Sequence, residues 1–443
     1  MKKVTFYLTL LFAVILYSCE KENPVFNPNV TITIDGVTPG EVVNLVQDNF
    51  AILKAQVDVA SDFSLAWSVN GVEKSNEIYY KYVANEVGEY QVTLKVFTPE
   101  GGLATTSFKL MVTGKYKDGT FILNEGNMTS GNGSIVFINP QGMATDSAYW
   151  RANGSFLGNT PQDLFITGNK LYVVCQNGDR TGGDGILVVA DAGTLQKKAA
   201  YNQELSALSW PTHVAVIGDD AYIRDNKGVH KFNMVTKELL FVEGSKGAAK
   251  NRMAVIGNKV FVPAGKNLYV IKDGAIIETM AMSGTISGVI KSSDNNIYVS
   301  CTTNPATIIK IKASDHSVLQ TNTIAEAKVG AGWGASPGIS AKGDTLYFSN
   351  ASTKIYRHIF SKGQTEYMTD VKEHVQNAGI VYNNLAVHPV SGEVYFNTIK
   401  GYGLDYLINS ISVFNFGKQA PVLKAEYKNL TQFPAGIFFT YDF

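Results

Sequence analysis

A strand–turn–strand unit recurs along most of this chain, and no other feature restricts its fold as tightly. The clearest copy is Thr160-Pro161-Gln162-Asp163-Leu164-Phe165-Ile166-Thr167-Gly168-Asn169-Lys170-Leu171-Tyr172-Val173-Val174-Cys175-Gln176-Asn177. Pro161 cannot donate to a sheet ladder and suits the first position of a strand, while Gly168-Asn169 supplies a tight turn. Leu171 to Cys175 is then an apolar run of the kind buried on both faces. The same grammar returns at 210–224 and 336–350. Degenerate copies stand at 252–262, 287–300 and 385–397, and a final fragment at 433–439 stops where its turn belongs.

Successive units start roughly 35 to 50 residues apart, the spacing of four-stranded propeller blades, and no helical periodicity is sustained. An all-β chain built around a β-propeller follows. The last copy holds only a first strand, so its partners must come from elsewhere. Three unclaimed strands, at 120–124, 134–138 and 147–150, lie at the other end of the repeat region. Closure by strands from both ends predicts seven blades over residues 119–443.

The chain has 443 residues, too many for one ordinary domain, and its 45% hydrophobic content supports sizeable cores. Lys plus Arg and Asp plus Glu number 38 each, so no long-range field draws nucleic acid or an anionic membrane. Residues 1–19 open with Lys2 and Lys3, run through an apolar stretch and end in Leu16-Tyr17-Ser18-Cys19. Positive start, short apolar core and small residue before the end are the parts of a secretory signal peptide. Its last four residues resemble the lipobox of bacterial lipoproteins, which implies lipidation at Cys19 and attachment to the outer membrane by lipid alone. Glu20 and Glu22 resemble the signal that exports such lipoproteins to the cell surface. Cys175 and Cys301 fall on second strands of non-neighbouring blades and are expected as separate buried thiols.

Residues 20–29, with Pro24 and Pro28 among asparagines, form an expected tether. From 30 to 113 the pattern changes to longer alternating strands at 30–34, 50–57, 64–69, 78–82, 88–96 and 104–112, the signature of a β-sandwich. Leu65-Ala66-Trp67-Ser68-Val69-Asn70-Gly71 and Val87-Gly88-Glu89-Tyr90-Gln91-Val92 resemble PKD-type immunoglobulin-like domains. The resemblance implies that Trp67 and Tyr90 are core residues and that the module is a spacer.

In a propeller, the loops entering each first strand and those joining second to third strands share one face. Here those loops are rich in Asn, Gly, Ser and Thr, with aromatics and a few cations. That mixture suits amide- and hydroxyl-directed hydrogen bonding beside flat apolar contact. Expected ligand contacts are Asn127, Asn159, Trp210, Arg224, Arg252, Trp333, Asn350, Tyr402 and Tyr406. The two arginines suit carboxylate or phosphate groups, and the long loop holding Tyr402 and Tyr406 is placed to clasp a flat ligand. The six histidines show no metal-ligand spacing, and the 176–185 loop lacks the alternation of a calcium site. No catalytic residue, metal or cofactor is expected, although blades can bring distant carboxylates together.

Leu123-Asn124-Glu125-Gly126-Asn127 and the recurrent Leu-Tyr-Val or Leu-Tyr-Phe strands resemble the YncE-like propellers with Tyr-Val-x-Asn repeats. A lipobox followed by such a propeller is similar to the BtuG-type surface lipoproteins that capture vitamin B12. The resemblance implies a non-enzymatic capture protein that binds cobalamin or a related corrinoid and passes it to a TonB-dependent outer-membrane transporter. A glycan- or protein-binding adhesion module is the alternative, and a propeller hydrolase or lyase the third reading.

Overall fold

The computed structural model describes residues 29–34, 42–330, 337–349, 352–417 and 421–441, with only the backbone of Asn384. Cys19, Trp333 and Asn350 lie outside the described residues. The chain divides into two compact units between Thr113 and Gly114. Among the described residues no helix is long and apolar enough to cross a membrane.

The first unit holds two sheets around one core. A three-stranded sheet joins Asn29–Ile34, Phe50–Asp58 and Tyr79–Val83. A five-stranded sheet runs Val43–Val46, Leu103–Thr113, Gly88–Phe97, Ser64–Val69 and Val72–Ser75. Burial alternates along Phe50–Asp58 because only one face of each sheet is covered. Leu53, Trp67, Leu94 and Leu110 meet in the shared core. Trp67 is fully buried, and its indole N–H donates to the Glu77 carbonyl at 2.9 Å, so its one polar atom is satisfied.

Among the described residues, seven four-stranded antiparallel sheets make up the second unit. The first contains Pro161–Thr167, Lys170–Cys175, Leu187–Asp191 and Lys197–Tyr201, in that order. Five more begin with His213–Ile217, Ala254–Ile256, Ile286–Lys291, Ile339–Lys342 and Ile380–Val387. In the seventh, the C-terminal strand Pro434–Phe439 pairs with Thr120–Asn124, which continues into Ser134–Ile138 and Ala144–Thr145. Each first strand adjoins the first strand of the next sheet, and Pro434–Phe439 adjoins both Ile380–Val387 and Pro161–Thr167. The sheets therefore close into a propeller-like ring.

Second strands lie between neighbouring sheets and are buried on both faces, as Ile297–Cys301 and Val394–Ile399 are throughout. That explains why they read as continuous apolar runs rather than alternating ones. Separate cores fill the gaps between adjacent sheets. Tyr172, Val174 and Leu187 of one sheet, for example, pack on Val214, Ile223 and Phe232 of the next. Each such side chain, taken from water, stabilises by about 1.5–3 kcal/mol, an upper figure because the unfolded chain is already partly collapsed. Cys175 and Cys301 are free and buried in different cores.

One expected strand is absent. Residues 147–150 read as extended, but the structure has a short helix at Ala148–Asn153. Ser147 turns into the left-handed region, and Gly154, at φ 65°, donates its amide to the Trp150 carbonyl and ends the helix. Tyr149 is buried by this turn, and its hydroxyl donates to Asp184 at 2.6 Å. That tertiary bond is invisible to local strand propensity.

Candidate functional site

Entry loops and second-to-third-strand loops meet on one face, tied together by backbone bonds such as Asn159 N–H to Gly178 O and Glu125 N–H to Phe433 O. Three of the entries share a joint. Thr160, Trp210 and Phe433, each before a proline, have φ of 56°, 53° and 55°. The left-handed conformation is strained for such side chains, and it turns the chain onto the first strand at each place.

The Asn124-Glu125-Gly126-Asn127 stretch shows how the face is built. Asn124 is buried and accepts from the Gln432 amide. Asn127 Oδ1 accepts from the Thr129 and Ser130 amides and shapes the turn. Gly126 has φ 74°, and a Cβ there would stand 2.4 Å from the Asn132 carbonyl oxygen, so only glycine fits. Glu125, held between these fixed neighbours, accepts a 2.7 Å hydrogen bond from the Tyr382 hydroxyl.

Around Glu125 the side chains of several sheets converge. Burial pushes its carboxyl up to about 6, opposed by the Tyr382 bond, by Lys250 and by Gln162. Burial also pulls the Lys250 ammonium below the ordinary lysine value; Glu125 opposes that shift and Arg224 adds to it. The Tyr382 phenol is pushed up, by burial first and by Glu125 second. Tyr382 meets Phe433 edge-on with centroids 5.9 Å apart, and Tyr406 stacks on Phe433 at 4.3 Å. The result is a recess with an aromatic wall, two cations and a carboxyl.

The expected contacts divide into exposed groups and struts. Trp210 and Tyr402 present their rings to solvent, at 56% and 52% exposure. Tyr406 belongs to the aromatic wall, on the short helical turn Gly403–Leu407. Arg224 is half-buried, with Nε donating to Ala248 O and Nη1 to Thr212 Oγ1. Asn159 is a correction. It is fully buried, its amide donates to Asn127 O, Gly131 O and Thr181 Oγ1, and its Oδ1 accepts from Asn177 and Thr160. It locks two loops together and leaves nothing for a ligand. Asn127 is likewise engaged in its own turn.

Arg252 also departs from expectation. Its Nε pairs with Asp163 at 3.0 Å and its guanidinium lies 4.2 Å over the Phe438 ring, inside the ring of sheets. Gly436 makes room for it, since a Cβ there would stand 2.1 Å from Arg252 Nη2. Burial pushes the Asp163 carboxyl up to about 6 despite the guanidinium. Arg252 lies at the inner end of a channel of about 1030 Å³, lined by first-strand residues such as Phe165, Val255 and Ile437. The channel opens among the first-to-second-strand turns, at Gly218, Gly257 and Lys342, which is the mouth opposite the recess.

Sequence reasoning missed Glu125, Lys250, Tyr382, Gln162, Asp163 and this channel. Glu125 stands inside the Leu123-Asn124-Glu125-Gly126-Asn127 stretch, whereas Lys250 and Tyr382 fall just before the repeat copies at 252–262 and 385–397. Which of them turn inward depends on how the sheets are arranged, and no local pattern carries that.

A closed ring of four-stranded sheets with a polar, aromatic-walled recess defines a propeller-like scaffold. Residues 118–440 match the model of a domain of unknown function, DUF5074, and the chain belongs to that family. No curated protein matches the sequence. Among solved structures, a quinonprotein alcohol dehydrogenase-like protein from Bacteroides thetaiotaomicron is similar in fold at 15% identity and TM-score 0.53, covering 93% of this chain and 99% of that one. PorZ, a surface component of the type-IX secretion system of Porphyromonas gingivalis, matches at 14% identity and TM-score 0.41, covering 77% and 44%.

Proposed function

We propose that this protein is a non-enzymatic ligand-capture lipoprotein, with the entry-loop face of a seven-bladed β-propeller as its binding surface. The first unit is a PKD-type immunoglobulin-like spacer, and Cys19 carries the lipid that anchors the chain to the outer membrane, facing outward. The observation that carries the reading is the recess, where Glu125, Lys250, Arg224, Tyr382 and the stacked Tyr406–Phe433 pair converge from separate strands and loops. Flat aromatic surface beside amide and hydroxyl partners suits a corrin ring fringed with amide side chains. Cobalamin or a related corrinoid is therefore the proposed ligand, handed on to a TonB-dependent transporter. The same stacked rings would also suit the face of a sugar, which makes a glycan the second reading.

Calorimetric titration of the full chain with cyanocobalamin tests this. One-to-one binding is expected, weakened at least about tenfold, or 1.4 kcal/mol, by Tyr406→Ala. Absence of both heat and retained colour would overturn the corrinoid, and retention on a polysaccharide column would then put glycans in its place.

A further inference from the structure

The carboxylates that act on the recess cations, Asp225 on Arg224 and Glu125 on Lys250, both have other hydrogen-bond partners. Arg224 makes hydrogen bonds to Ala248 O at 3.1 Å, Thr212 Oγ1 at 3.2 Å and Asn226 Oδ1 at 3.5 Å. All three acceptors are neutral and fix the guanidinium's direction, while the neighbouring carboxylate that acts on it, Asp225, already accepts from the Ser209, Lys227 and Gly228 amides. Lys250 lies close enough to Arg224 for the two charges to repel, and the carboxyl that acts on it is Glu125. Glu125 already accepts from Tyr382. Two residues beyond Lys250, Arg252 spends its Nε on Asp163, while its Nη2 is buried with no hydrogen-bond partner.

Holding like charges together in a half-desolvated recess is unfavourable unless a counter-charge joins them. A second observation points the same way. Gln162, 3% exposed and beside Glu125, has a buried Oε1 with no hydrogen-bond partner. A buried acceptor left unmade costs about 1–3 kcal/mol, and a donor from a ligand removes that cost. The recess therefore offers two cationic donors and, beside them, one waiting acceptor.

We infer that Arg224 and Lys250 form an oxyanion subsite that takes a carboxylate or phosphate group of the ligand, with Gln162 accepting from a neighbouring N–H or O–H of the same molecule. This rests on the reading that the entry-loop face binds the ligand, but not on that ligand being a corrinoid. Arg224, with its direction fixed by three acceptors, sets the orientation of the anion. Lys250 adds a mobile point charge. Glu125 restrains Lys250 when the site is empty and gives way to the anion when it fills.

The test needs no knowledge of the ligand. Acylation of lysines in the full chain by acetic anhydride, read peptide by peptide by mass spectrometry over a range of pH, reports the reactivity of Lys250 against Lys246 as internal reference. Phenyl phosphate and benzoate are the two probes. At about four times its dissociation constant, a probe filling the subsite is expected to slow Lys250 acylation roughly fivefold and to shift its pH profile upward, with Lys246 unchanged. Arg224→Gln should abolish the protection. Protection by phenyl phosphate alone assigns a phosphoryl group, and protection by benzoate alone a carboxylate. Equal response of Lys250 and Lys246 to both probes, or protection undiminished in Arg224→Gln, would overturn the subsite. Cyanocobalamin binding that survives both Arg224→Gln and Lys250→Met undiminished would reject the subsite while leaving capture intact. Anion protection without cyanocobalamin binding would keep the subsite and reject the corrinoid.

Discussion

A chain ending at Thr431 should fail to form a cooperative native ring. The missing segment contains Pro434–Phe439, the first strand of the seventh sheet, whose partners run from Asn124 to Thr120. Ala435 joins one inter-sheet core and Ile437 the next, so two cores lose a wall at once. Thr440 also bonds to Gly119 through both its amide and its hydroxyl, closing the ends of the ring together. Loss of this strand leaves Thr120–Asn124 as an unpaired edge over an open core, a template for aggregation. The combined cost should exceed the roughly 5–15 kcal/mol that keeps a domain folded. Circular dichroism melting and gel filtration are expected to show a broad transition and oligomers. A sharp melt within a few degrees of the intact chain would show that the ring does not depend on its C-terminal strand.

Arg252→Met is the point substitution with the largest expected effect on stability. It keeps apolar contact with Phe438 but removes the only described ion-pair partner of Asp163, whose side chain is 4% exposed. Breaking a buried pair from one side costs about 3–5 kcal/mol, because the remaining charge is left uncompensated. The effect depends on pH, and its direction follows from Asp163. Burial already raises that carboxyl from 3.8 to about 6 in the folded chain, so the folded state holds the proton more tightly than the unfolded one. Its favourable contribution is complete below pH 3.8 and is lost as pH rises through about 6. Without Arg252 the carboxyl shifts further up, so the loss should be largest above pH 7 and small near pH 4.5. Denaturant titration at both pH values measures this. The double variant Arg252→Met with Asp163→Asn should recover most of the loss at pH 7, and a loss equal at both pH values would exclude the ion pair as its cause.

The repeat was legible because its signals are local. A proline opening a strand, a Gly-Asn turn and a run such as Leu171 to Cys175 each restrict the backbone over a few residues. Sheet order then brought Pro434–Phe439 beside Thr120–Asn124, as the missing partners of the last copy required. The helix at Ala148–Asn153 was not legible, because a buried Tyr149–Asp184 hydrogen bond outweighs local preference there. At the recess, residue type was readable and direction was not. Asn159 and Tyr406 lie on the same face, yet one is a buried strut and the other an aromatic wall. Glu125 matters because Gly126 and Asn127 hold the turn around it, which becomes visible only when Tyr382, 257 residues away in sequence, closes on it.

Hydrogen–deuterium exchange of the full chain with and without saturating cyanocobalamin tests the central claim most directly, since it reports which end of the ring a ligand covers. Protection is expected at 125–133, 248–252, 382–384 and 400–408, the segments that build the recess. Protection instead at the turns around Gly218, Gly257 and Lys342 would place the ligand in the channel at the opposite mouth and contradict the account, as would no protection at either end.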